Sequence, residues 1–514
     1  MKLLTPDQMR AVEKEADTKG VSYAQMMHNA GRGLAEIVHA LGQEHGWRTA
    51  TGIVGSGNNG GDALVALAWL AQAGWRTYAI LLNRKPDGDE LIENYLQAGG
   101  ELAQFTGHPD PLDRFLEESD LLLDGLLGTG IQLPLRKEAA LLLQTTKTIL
   151  ASLELPPFIV AVDCPSGMDC ETGKTADETI PADLTLAMAA VKTGHLKLPA
   201  FEYLGALQVV NIGLPEKLEA WDSLTTEAAD WEMVSAMIPV RTPASHKGTF
   251  GTAFVVAGST SYTGAALLAG KAAYRIGAGL VTMAVAEPLH SALAGHLPEA
   301  TWILLPHKHG FISEDAADDV LKNIKRATAL LLGPGLGDKE TTGSFIEHLL
   351  PSINIPVVLD ADGLRHLSRI QHWENKLTSP AVLTPHPGEM SALTGLSVSE
   401  IQSNREMVAL NYAKESGHVI VLKGAFTVIA SPDGRSTVIP VATPALARAG
   451  TGDVLAGLIT GLLAQGVQSY NAAIAGAFIH AQAGLLAAET LGTSASVLAS
   501  DVLNAIPEII SELE

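Results

Sequence analysis

Cysteine is scarce in this sequence, because only Cys164 and Cys170 occur among its 514 residues. Two cysteines exclude a disulfide scaffold and a cysteine-based zinc site, and their C-x5-C spacing is not the C-x-x-C form of redox motifs. Basic residues are also few: 34 Lys and Arg face 56 Asp and Glu, which gives a formal net charge of −22. Nonspecific binding to nucleic acid or to anionic membranes needs a basic surface, so neither partner is expected.

Long apolar runs are absent too. No stretch of 18 or more uninterrupted apolar residues is present, so no membrane-spanning segment is expected. The first residues contain only a short apolar stretch before the pattern becomes acidic and helical, which is unlike a signal peptide. We therefore expect a cytoplasmic protein. With 47% hydrophobic and 18% charged residues the chain can build a large folded core. Its length favours two or three domains.

What is present is a repeated order of apolar strand, glycine-rich turn and Ala/Leu-rich helix. In the first half we expect strands at 51–54, 77–82, 121–124 and 158–163, and a helix from about Asp62 to Ala73. In the second half we expect strands at 251–258, 329–332, 357–360, 381–384 and 419–423, a helix at 262–277, and a hairpin of 426–430 with 436–441. This alternation predicts the α/β class, with mostly parallel sheets covered on both faces.

The alternation lapses between residues 213 and 241, where the sequence is acidic and polar with prolines at both ends. We interpret this segment as a partly helical inter-domain connection. The expected organisation is two α/β domains, residues 1–220 and residues 221–514. Ligands of parallel sheets bind beyond the carboxyl ends of the strands, which is where the motifs of both halves lie.

Three polar loops follow strands of the first half. GSGNNGGD offers backbone N–H groups to a phosphate at a helix start, although a plain turn with Asp62 as the helix N-cap is the other interpretation. DGLLGTGIQLP begins with Asp124, and AVDCPSGMD contains Asp163 and Ser166. Together these loops would form a rim with an amide oxygen, a carboxylate and a hydroxyl, suited to a small hard cation or to a phosphate. KTGH, at 192–195, either adds a cation or is a solvated loop.

The second half contains GTGD at 450–453, directly before an apolar helix. Small residues at a helix N-terminus form an anion hole, and Asp453 could accept a proton from an attacking hydroxyl; a plain helix cap is the other interpretation. LTPHPGEM places His386 and Glu389 in a loop after a strand, where His386 is either a ligand contact or a structural hydrogen-bonding group. VLKGAFTVIA places Lys423 at a strand end, in a position that suits nucleotide phosphates.

The first half resembles the NAD(P)H-hydrate epimerase family, from near residue 3 to near residue 215. LTPDQMRAVEKEA, QMMHNAG, GNNGGDALVA, LLDGLLGTGIQLPL, VAVDCPSGMD and VKTGH carry the resemblance. It implies a Rossmann-like three-layer sandwich that epimerises hydrated NADH and NADPH at C6 of the nicotinamide ring, a reaction in which Asp163 could act as general acid/base. It also implies a potassium ion on Asn59, Asp124 and Ser166. The implied substrate-binding residues are Asn58, Asn59, Gly60, Gly61, Asp62, Gly128, Thr129, Gly130, Ile131, Gln132, Leu133, Pro134 and Asp163.

The second half resembles the ribokinase-like family, and within it the NAD(P)H-hydrate dehydratase branch. HKGTFGTAFVVAGS, LLGPGLG, VVLDADGL, LTPHPGEMSALTG, VLKGAFTVIA and AGTGDVLAGLITGLLAQG carry the resemblance, over about residues 246–467. It implies that the hydrated dinucleotide contacts Ala253, Gly335, His386 and Asp453. It implies ADP contacts at Lys423, Gly424, Ala425, Phe426, Thr427 and Gly452, with Mg²⁺ offsetting the nucleotide charge. ADP rather than ATP is implied by the likeness to bacterial and archaeal two-domain fusions.

The implied dehydration begins with transfer of a phosphoryl group, because hydroxide is a poor leaving group and phosphate a good one. Asp453 would deprotonate the C6 hydroxyl, and the Gly450–Gly452 amides would stabilise the transferring group. A ribokinase-like kinase of a vitamin or pyrimidine, fused to a nucleotide-binding domain, is an alternative enzyme. A silent dinucleotide sensor is another, although the intact Asp453, Asp163, Asn59, Asp124 and Ser166 argue against it. A homo-oligomer is expected.

Overall fold

The computed structural model describes all residues from Met1 to Glu514. The chain divides into two compact units, Met1–Leu224 and Thr225–Glu514. The division falls four residues beyond the boundary expected at residue 220. Each unit is built around its own mixed α/β arrangement, as the alternation of strands and helices predicts.

The first unit contains a seven-stranded sheet in which every neighbouring pair is parallel. The strands of this unit are β1 (Leu3–Leu4), β2 (Thr49–Val54), β3 (Arg76–Leu81), β4 (Glu101–Gln104), β5 (Leu121–Gly125), β6 (Phe158–Val162), β7 (Leu184–Met188), β8 (Val191–Lys192) and β9 (Ala206–Val210). The order in the sheet is β4-β3-β2-β5-β6-β7-β9, and β1 pairs with β8 separately. The helices are α1 (Pro6–Thr18), α2 (Tyr23–His45), α3 (Asn58–Gln72), α4 (Glu90–Gln97), α5 (Leu112–Glu117), α6 (Lys137–Ser152) and α7 (Glu219–Asp222).

Two apolar clusters cover the two faces of this sheet. Leu121 and Leu123 of β5 belong to the cluster that includes Leu34 of α2 and Leu67 of α3. Leu122, the residue between them, belongs to the cluster with residues of α5 and α6. Side chains of a strand alternate between faces, so a strand of uninterrupted apolar residues must be covered on both sides. The three-layer sandwich predicted for this half is therefore confirmed.

The second unit contains a ten-stranded sheet and a separate two-stranded one. The strands are β10 (Thr226–Ala228), β11 (Thr252–Val256), β12 (Leu280–Ala286), β13 (Thr301–Leu305), β14 (His307–Lys308), β15 (Phe311–Ile312), β16 (Ala329–Leu332), β17 (Val357–Leu359), β18 (Ala381–Leu383), β19 (Val419–Leu422), β20 (Val428–Ala430) and β21 (Ser436–Val438). The order in the large sheet is β10-β21-β20-β19-β18-β17-β16-β11-β12-β13, and all its pairs are parallel except β19 with β20 and β20 with β21. The hairpin predicted around PDGR is the β20–β21 pair.

The helices of the second unit are α8 (Trp231–Ser235), α9 (Thr263–Arg275), α10 (Glu287–Leu293), α11 (Ala316–Asn323), α12 (Glu340–Leu349), α13 (Asp362–Leu367), α14 (Pro387–Thr394), α15 (Val398–Ser403), α16 (Arg405–Ser416), α17 (Thr451–Ala464), α18 (Ser469–Leu491) and α19 (Ala499–Leu513). The apolar helix α17 is buried over nearly its whole length and packs on α9, α18 and the sheet. By length and composition alone α18 could cross a membrane, but 72% of its most apolar window is buried inside the protein, as in a core helix.

One prediction about local structure is incomplete and another is wrong. The segment 213–241 contains the division between the units and the short helices α7 and α8, as expected of a partly helical connection, but its residues Thr226–Ala228 also form β10, an edge strand that pairs in parallel with β21. The helix expected from Asp62 begins at Asn58 instead, with Gly57 as its N-cap. Asp62 is consequently not a cap but the fifth residue of α3, and its side chain is buried.

Candidate functional sites

A cleft of about 780 Å³ lies at the carboxyl end of the sheet in the first unit. The loops that follow β2, β5 and β6 supply most of its walls, as expected for a parallel sheet. Its lining includes the predicted residues Asn58, Asn59, Asp62, Gly128, Thr129, Gly130, Ile131, Gln132, Pro134 and Asp163. Three other predicted residues, Gly60, Gly61 and Leu133, do not line it.

The start of α3 gives the cleft a set of free backbone donors. Gly61 N–H donates to the Gly57 carbonyl, but the N–H groups of Asn58, Asn59 and Gly60 have no backbone acceptor. Gly60 is needed for close packing, because a Cβ there would lie 2.0 Å from the Gly55 carbonyl oxygen. A helix N-terminus with unpaired N–H groups attracts anions, and phosphates above all.

Oxygen atoms of the loops after β5 and β6 meet beside this helix end. The Asp124 carboxylate accepts from the Ser166 backbone N–H at 2.7 Å and from the Ser166 hydroxyl at 2.5 Å. The Asn59 amide donates to the Leu127 carbonyl at 3.0 Å and to the Val162 carbonyl at 2.6 Å. Burial raises the pKa of Asp124, against the hydrogen bonds from Ser166. The loops after β5 and β6 thus bring together Asn59, Asp124 and Ser166. The sequence predicted that these three residues share a rim.

Asp163 sits directly after β6 in a left-handed conformation, with φ of +64°. Its Oδ1 accepts the Met188 N–H at 2.8 Å and also contacts the Lys192 ammonium. Lys192 donates to the Met188 carbonyl at 2.8 Å, and its side chain is 1% exposed. The interpretation of KTGH as a solvated loop is therefore wrong, since Lys192 is a buried partner of Asp163.

Two further acids surround this ion pair. Burial raises the pKa of Asp62 well above its usual range, and the charges of Asp163 and Glu13 raise it further. Burial also raises the pKa of Glu13, although the Lys192 charge opposes that shift. Glu13 lies on α1 and lines the cleft together with Arg10. Sequence reasoning missed Glu13; the available signal was its place next to Val12, which is on the buried face of an amphipathic helix.

In the second unit, the GTGD motif forms the first turn of α17. Gly450 is the N-cap, with φ of +93°, and the Thr451 hydroxyl donates to the Leu446 and Arg448 carbonyls at 2.9 and 2.8 Å. The backbone N–H groups of Gly452 and Asp453 have no acceptor within the protein. The Thr451 hydroxyl therefore holds this turn in place, and the turn presents free N–H donors to an anion. Such donors are what a site of phosphoryl transfer needs.

Asp453 shares this turn with a buried charge network. Burial raises the pKa of Asp453 to about 7, with a further contribution from the Asp360 charge and opposition from Lys423. Asp360 follows β17 and is 1% exposed, and its Oδ1 accepts from the Thr384 hydroxyl at 2.6 Å and from the Lys423 ammonium at 2.7 Å. Glu389 lies 3.8 Å from the same ammonium. Lys423 is therefore neutralised by carboxylates rather than left free for phosphates.

The other residues predicted to contact the dinucleotide lie in different surroundings. His386 is the N-cap of α14, not a loop residue; its Nδ1 accepts from the Gly388 N–H at 2.9 Å, and about half of its side chain is exposed. Gly335 is buried in the turn after β16, where a Cβ would lie 2.8 Å from Tyr262 and Ala265. Ala253 lies inside β11 and is fully buried, so its side chain is not accessible to a ligand.

A smaller cavity, of about 190 Å³, lies between the loop after β19 and the helices α17 and α18. Five of the six residues predicted to contact ADP line it, namely Lys423, Gly424, Ala425, Thr427 and Gly452. Phe426 does not line it and is buried, with φ of +54°. Apolar side chains such as Ile439, Val441 and Leu455 complete the walls, which suits an aromatic base.

Fold and sites together define a two-domain α/β enzyme class: a three-layer domain with an anion-binding cleft, followed by a ribokinase-like domain with an acid at a helix N-terminus. Residues 23–194 match the family described as YjeF-related protein N-terminus, and residues 253–508 match the NAD(P)H-hydrate dehydratase family. The chain is similar over its whole length to curated proteins. It is 36% identical to the bifunctional NAD(P)H-hydrate repair enzyme of Moorella thermoacetica, covering all of this chain and 97% of that one.

A second relative and a solved structure extend these similarities. The Escherichia coli bifunctional NAD(P)H-hydrate repair enzyme is 33% identical, with 98% of this chain and 93% of that one covered. The crystal structure of the ADP/ATP-dependent NAD(P)H-hydrate dehydratase from Bacillus subtilis, co-crystallised with ATP and Mg²⁺, is 35% identical with a TM-score of 0.51. It covers 57% of this chain and all of its own. This chain belongs to the family of bifunctional NAD(P)H-hydrate repair enzymes.

Proposed function

We propose that this chain repairs hydrated NADH and NADPH in two reactions. The first domain, residues 1–220, epimerises the hydrates at C6 of the nicotinamide ring. The second domain, residues 221–514, dehydrates the S hydrate at the expense of ADP and returns NADH or NADPH. The observation that carries the proposal is the first turn of α17, where a carboxyl with a pKa of about 7 shares one helix end with two unpaired N–H groups.

Asp453 is the general base of the proposed dehydration. It takes the proton of the C6 hydroxyl while that oxygen attacks the terminal phosphorus of ADP, and the bond from phosphorus to the bridging oxygen breaks to release AMP. A base with a pKa near the working pH gives the best compromise between availability and strength. The Gly452 and Asp453 N–H groups donate to the oxygens of the phosphoryl group in transfer.

Loss of phosphate completes the reaction. The lone pair of the ring nitrogen expels phosphate from C6, and a proton leaves C5 so that the 5,6 double bond returns. The products are NAD(P)H, AMP and inorganic phosphate. In this proposal the dinucleotide lies across the turn after β16 and the exposed ring of His386, with Gly335 allowing close approach.

Magnesium would enter the site of the second domain already bound to the nucleotide phosphates. No group of three His, Cys, Asp or Glu side chains is placed to hold a metal ion, and Asp360 and Glu389 already pair with Lys423. Mg²⁺ commonly binds through substrate phosphates, one or two carboxylates and several waters, which fits this arrangement. When bound it would offset the charge of the phosphates.

The first cleft fits the proposed epimerase. Asp163 exchanges a proton with the hydrated ring, Lys192 fixes the Asp163 carboxylate, and the N–H groups at the start of α3 bind a phosphate of the dinucleotide. The donor set of Asn59, Asp124 and Ser166 fits a potassium ion, because it is all oxygen and has one buried carboxylate. The carbonyls of Leu127 and Val162 both accept from the Asn59 amide nitrogen and so hold that side chain in place. A bound ion would neutralise Asp124 and fix the loops.

The proposal is tested by the absorbance of reduced nicotinamide. The full chain is mixed with both epimers of hydrated NADH, K⁺, Mg²⁺ and either ADP or ATP. Complete recovery of NADH from both epimers, with AMP and phosphate as products from ADP, is the expected result. Asp453→Asn should abolish recovery while epimerisation persists, and Asp163→Asn should do the reverse. A stable phosphorylated product would instead indicate a ribokinase-like kinase, and binding without turnover a sensor.

A further inference from the structure

Arg405 is a partly buried cation without a carboxylate partner. It begins α16, and its guanidinium donates only to the Leu422 carbonyl at 2.8 Å and to the Gln402 side-chain oxygen at 3.1 Å. Its Nε is buried and has no partner. Burial lowers the pKa of Arg405 to about 10, and no neighbouring acid compensates that cost. A desolvated cation of this kind is normally paired, so an anion is the missing partner.

The guanidinium lies against the loop that lines the smaller cavity. A Cβ on Gly424 would lie 3.0 Å from both terminal nitrogens of Arg405, and Gly424 has φ of +151°. The loop therefore passes over the arginine in a conformation that favours glycine. Gly424 and its neighbour Ala425 are exposed and line the cavity, and Arg405 lies directly behind this lining rather than in it. An anion that runs along this stretch of backbone comes within reach of the guanidinium.

The cation that lines the cavity is already paired with carboxylates. Lys423, the residue that the sequence offered for phosphates, forms an ion pair with Asp360 at 2.7 Å and lies 3.8 Å from Glu389. A nucleoside diphosphate in this cavity needs a cation that is not already paired with a carboxylate. Arginine also suits phosphate better than lysine does, because its planar fork can donate two parallel hydrogen bonds.

We propose that Arg405 binds the diphosphate of the nucleotide, and that this contact accounts for much of the preference for a nucleoside diphosphate over the bare nucleoside. The inference rests on the proposed function of the second domain, since it takes ADP as the occupant of the smaller cavity. It adds a residue from α16, which lies outside the loop and helix that the family resemblance assigned to ADP.

Calorimetric titration of the full chain with adenosine, AMP and ADP, in the presence of Mg²⁺, tests this role. Arg405→Met should weaken ADP binding about 10- to 100-fold, the range for loss of a hydrogen bond between charged groups. Adenosine binding should change less than about twofold, because the base does not touch the guanidinium. Arg405→Lys should retain part of the ADP affinity. Arg435→Met is the matched control, since Arg435 pairs with Asp433 on an exposed hairpin and should leave all three affinities unchanged.

The outcomes separate this inference from the proposed function. If the wild-type chain does not bind ADP, the proposed dehydratase function fails, and the inference fails with it. If the wild type binds ADP and Arg405→Met binds it equally well, only the inference fails. Arg405→Met could instead weaken adenosine and ADP binding equally, or Arg405→Lys could lose as much ADP affinity as Arg405→Met. Either result would show that Arg405 only supports the loop, and would overturn the inference.

Discussion

Asp453 is a carboxyl group whose surroundings oppose its charge. Burial and the nearby Asp360 raise its pKa to about 7, so the folded protein keeps it protonated over a range where the unfolded chain has ionised it. The unfolded state then binds fewer protons than the folded state between about pH 4 and pH 7, and stability falls as pH rises through that interval. The proposed base is thus destabilising at the pH where it would act.

Asp453→Asn should therefore stabilise the protein in a pH-dependent way. The full shift corresponds to about 4 kcal/mol, but the side chain is partly exposed, and we expect a gain of about 2 kcal/mol in the free energy of unfolding. The gain should be near zero at pH 4 and reach its plateau above pH 7. Denaturant unfolding of both proteins at pH 4, 6 and 8 measures it, and a difference that does not grow with pH would contradict the assigned shift.

Asp360 should set the pH at which dehydration begins. Its charge raises the pKa of Asp453, while Lys423, which it neutralises, lowers that pKa. Asp360→Asn removes the charge that raises the pKa of Asp453 and leaves Lys423 free to lower it. The acidic limb of the rate profile should therefore move toward lower pH by about one unit. Rate against pH at saturating ADP tests this. A limb that stays in place would show that Asp360 does not act on the base. Epimerase activity of the same variant is the control for folding.

At the scale of an element, the start of α3 depends on a single close approach. A Cβ at residue 60 would lie 2.0 Å from the Gly55 carbonyl oxygen, so Gly60→Ala must move the first turn of the helix. That turn carries the unpaired N–H groups of the cleft, and a displacement of about 1 Å at a reacting site costs on the order of 100-fold in rate. We expect this loss for epimerisation, measured by the interconversion of the two hydrates. Unchanged dehydratase activity in the same chain is the internal control; a normal epimerase would show that the turn is not used.

The same element marks where prediction from sequence fails. Apolar runs predict strands such as Ala329–Leu332 with the bounds that the structure has, because local composition alone determines them. The Asn-Asn-Gly-Gly start of α3 reads as a loop from sequence, since these residues favour turns and weaken helices. The packing of Gly60 on Gly55 overrides that tendency. The edge strand β10 was missed for a similar reason, because Thr226–Ala228 has no apolar run and is a strand only through its pairing with β21.

The sequence also points to part of each candidate site and leaves the rest unseen. Asp124, Asp163 and Asp453 were found because each lies at the end of a strand or the start of a helix, where ligands of α/β folds bind. Asp360 lies at the end of β17 and satisfies the same rule, but only the fold shows that it faces Lys423. Glu13 belongs to a helix far from these loops in sequence. Contacts between distant segments have no local signal, so both residues required the structure.

At the scale of the whole molecule, each unit supplies all the residues assigned to its own proposed site. Asp163, Lys192 and the start of α3 all belong to Met1–Leu224, and Asp453, Asp360 and Lys423 all belong to Thr225–Glu514. No residue of either set comes from the other unit. The net charge of −22 does not prevent both from binding anionic dinucleotides, because backbone N–H groups and buried cations act at short range while distant charges are screened.

Two singly inactivated chains should therefore complement each other. Asp163→Asn keeps the dehydratase and Asp453→Asn keeps the epimerase, so an equimolar mixture should convert both epimers of hydrated NADH completely, whereas each variant alone should not accelerate full recovery. The rate of the mixture should reach about half that of the wild type at equal total chain, because each activity is present on half of the chains and substrate diffuses freely between them. Asp163→Asn alone is the control for spontaneous epimerisation, because its dehydratase converts whatever S hydrate forms without the epimerase. If the mixture recovers only the S hydrate, the substrate does not pass between chains and both sites must be intact in one molecule.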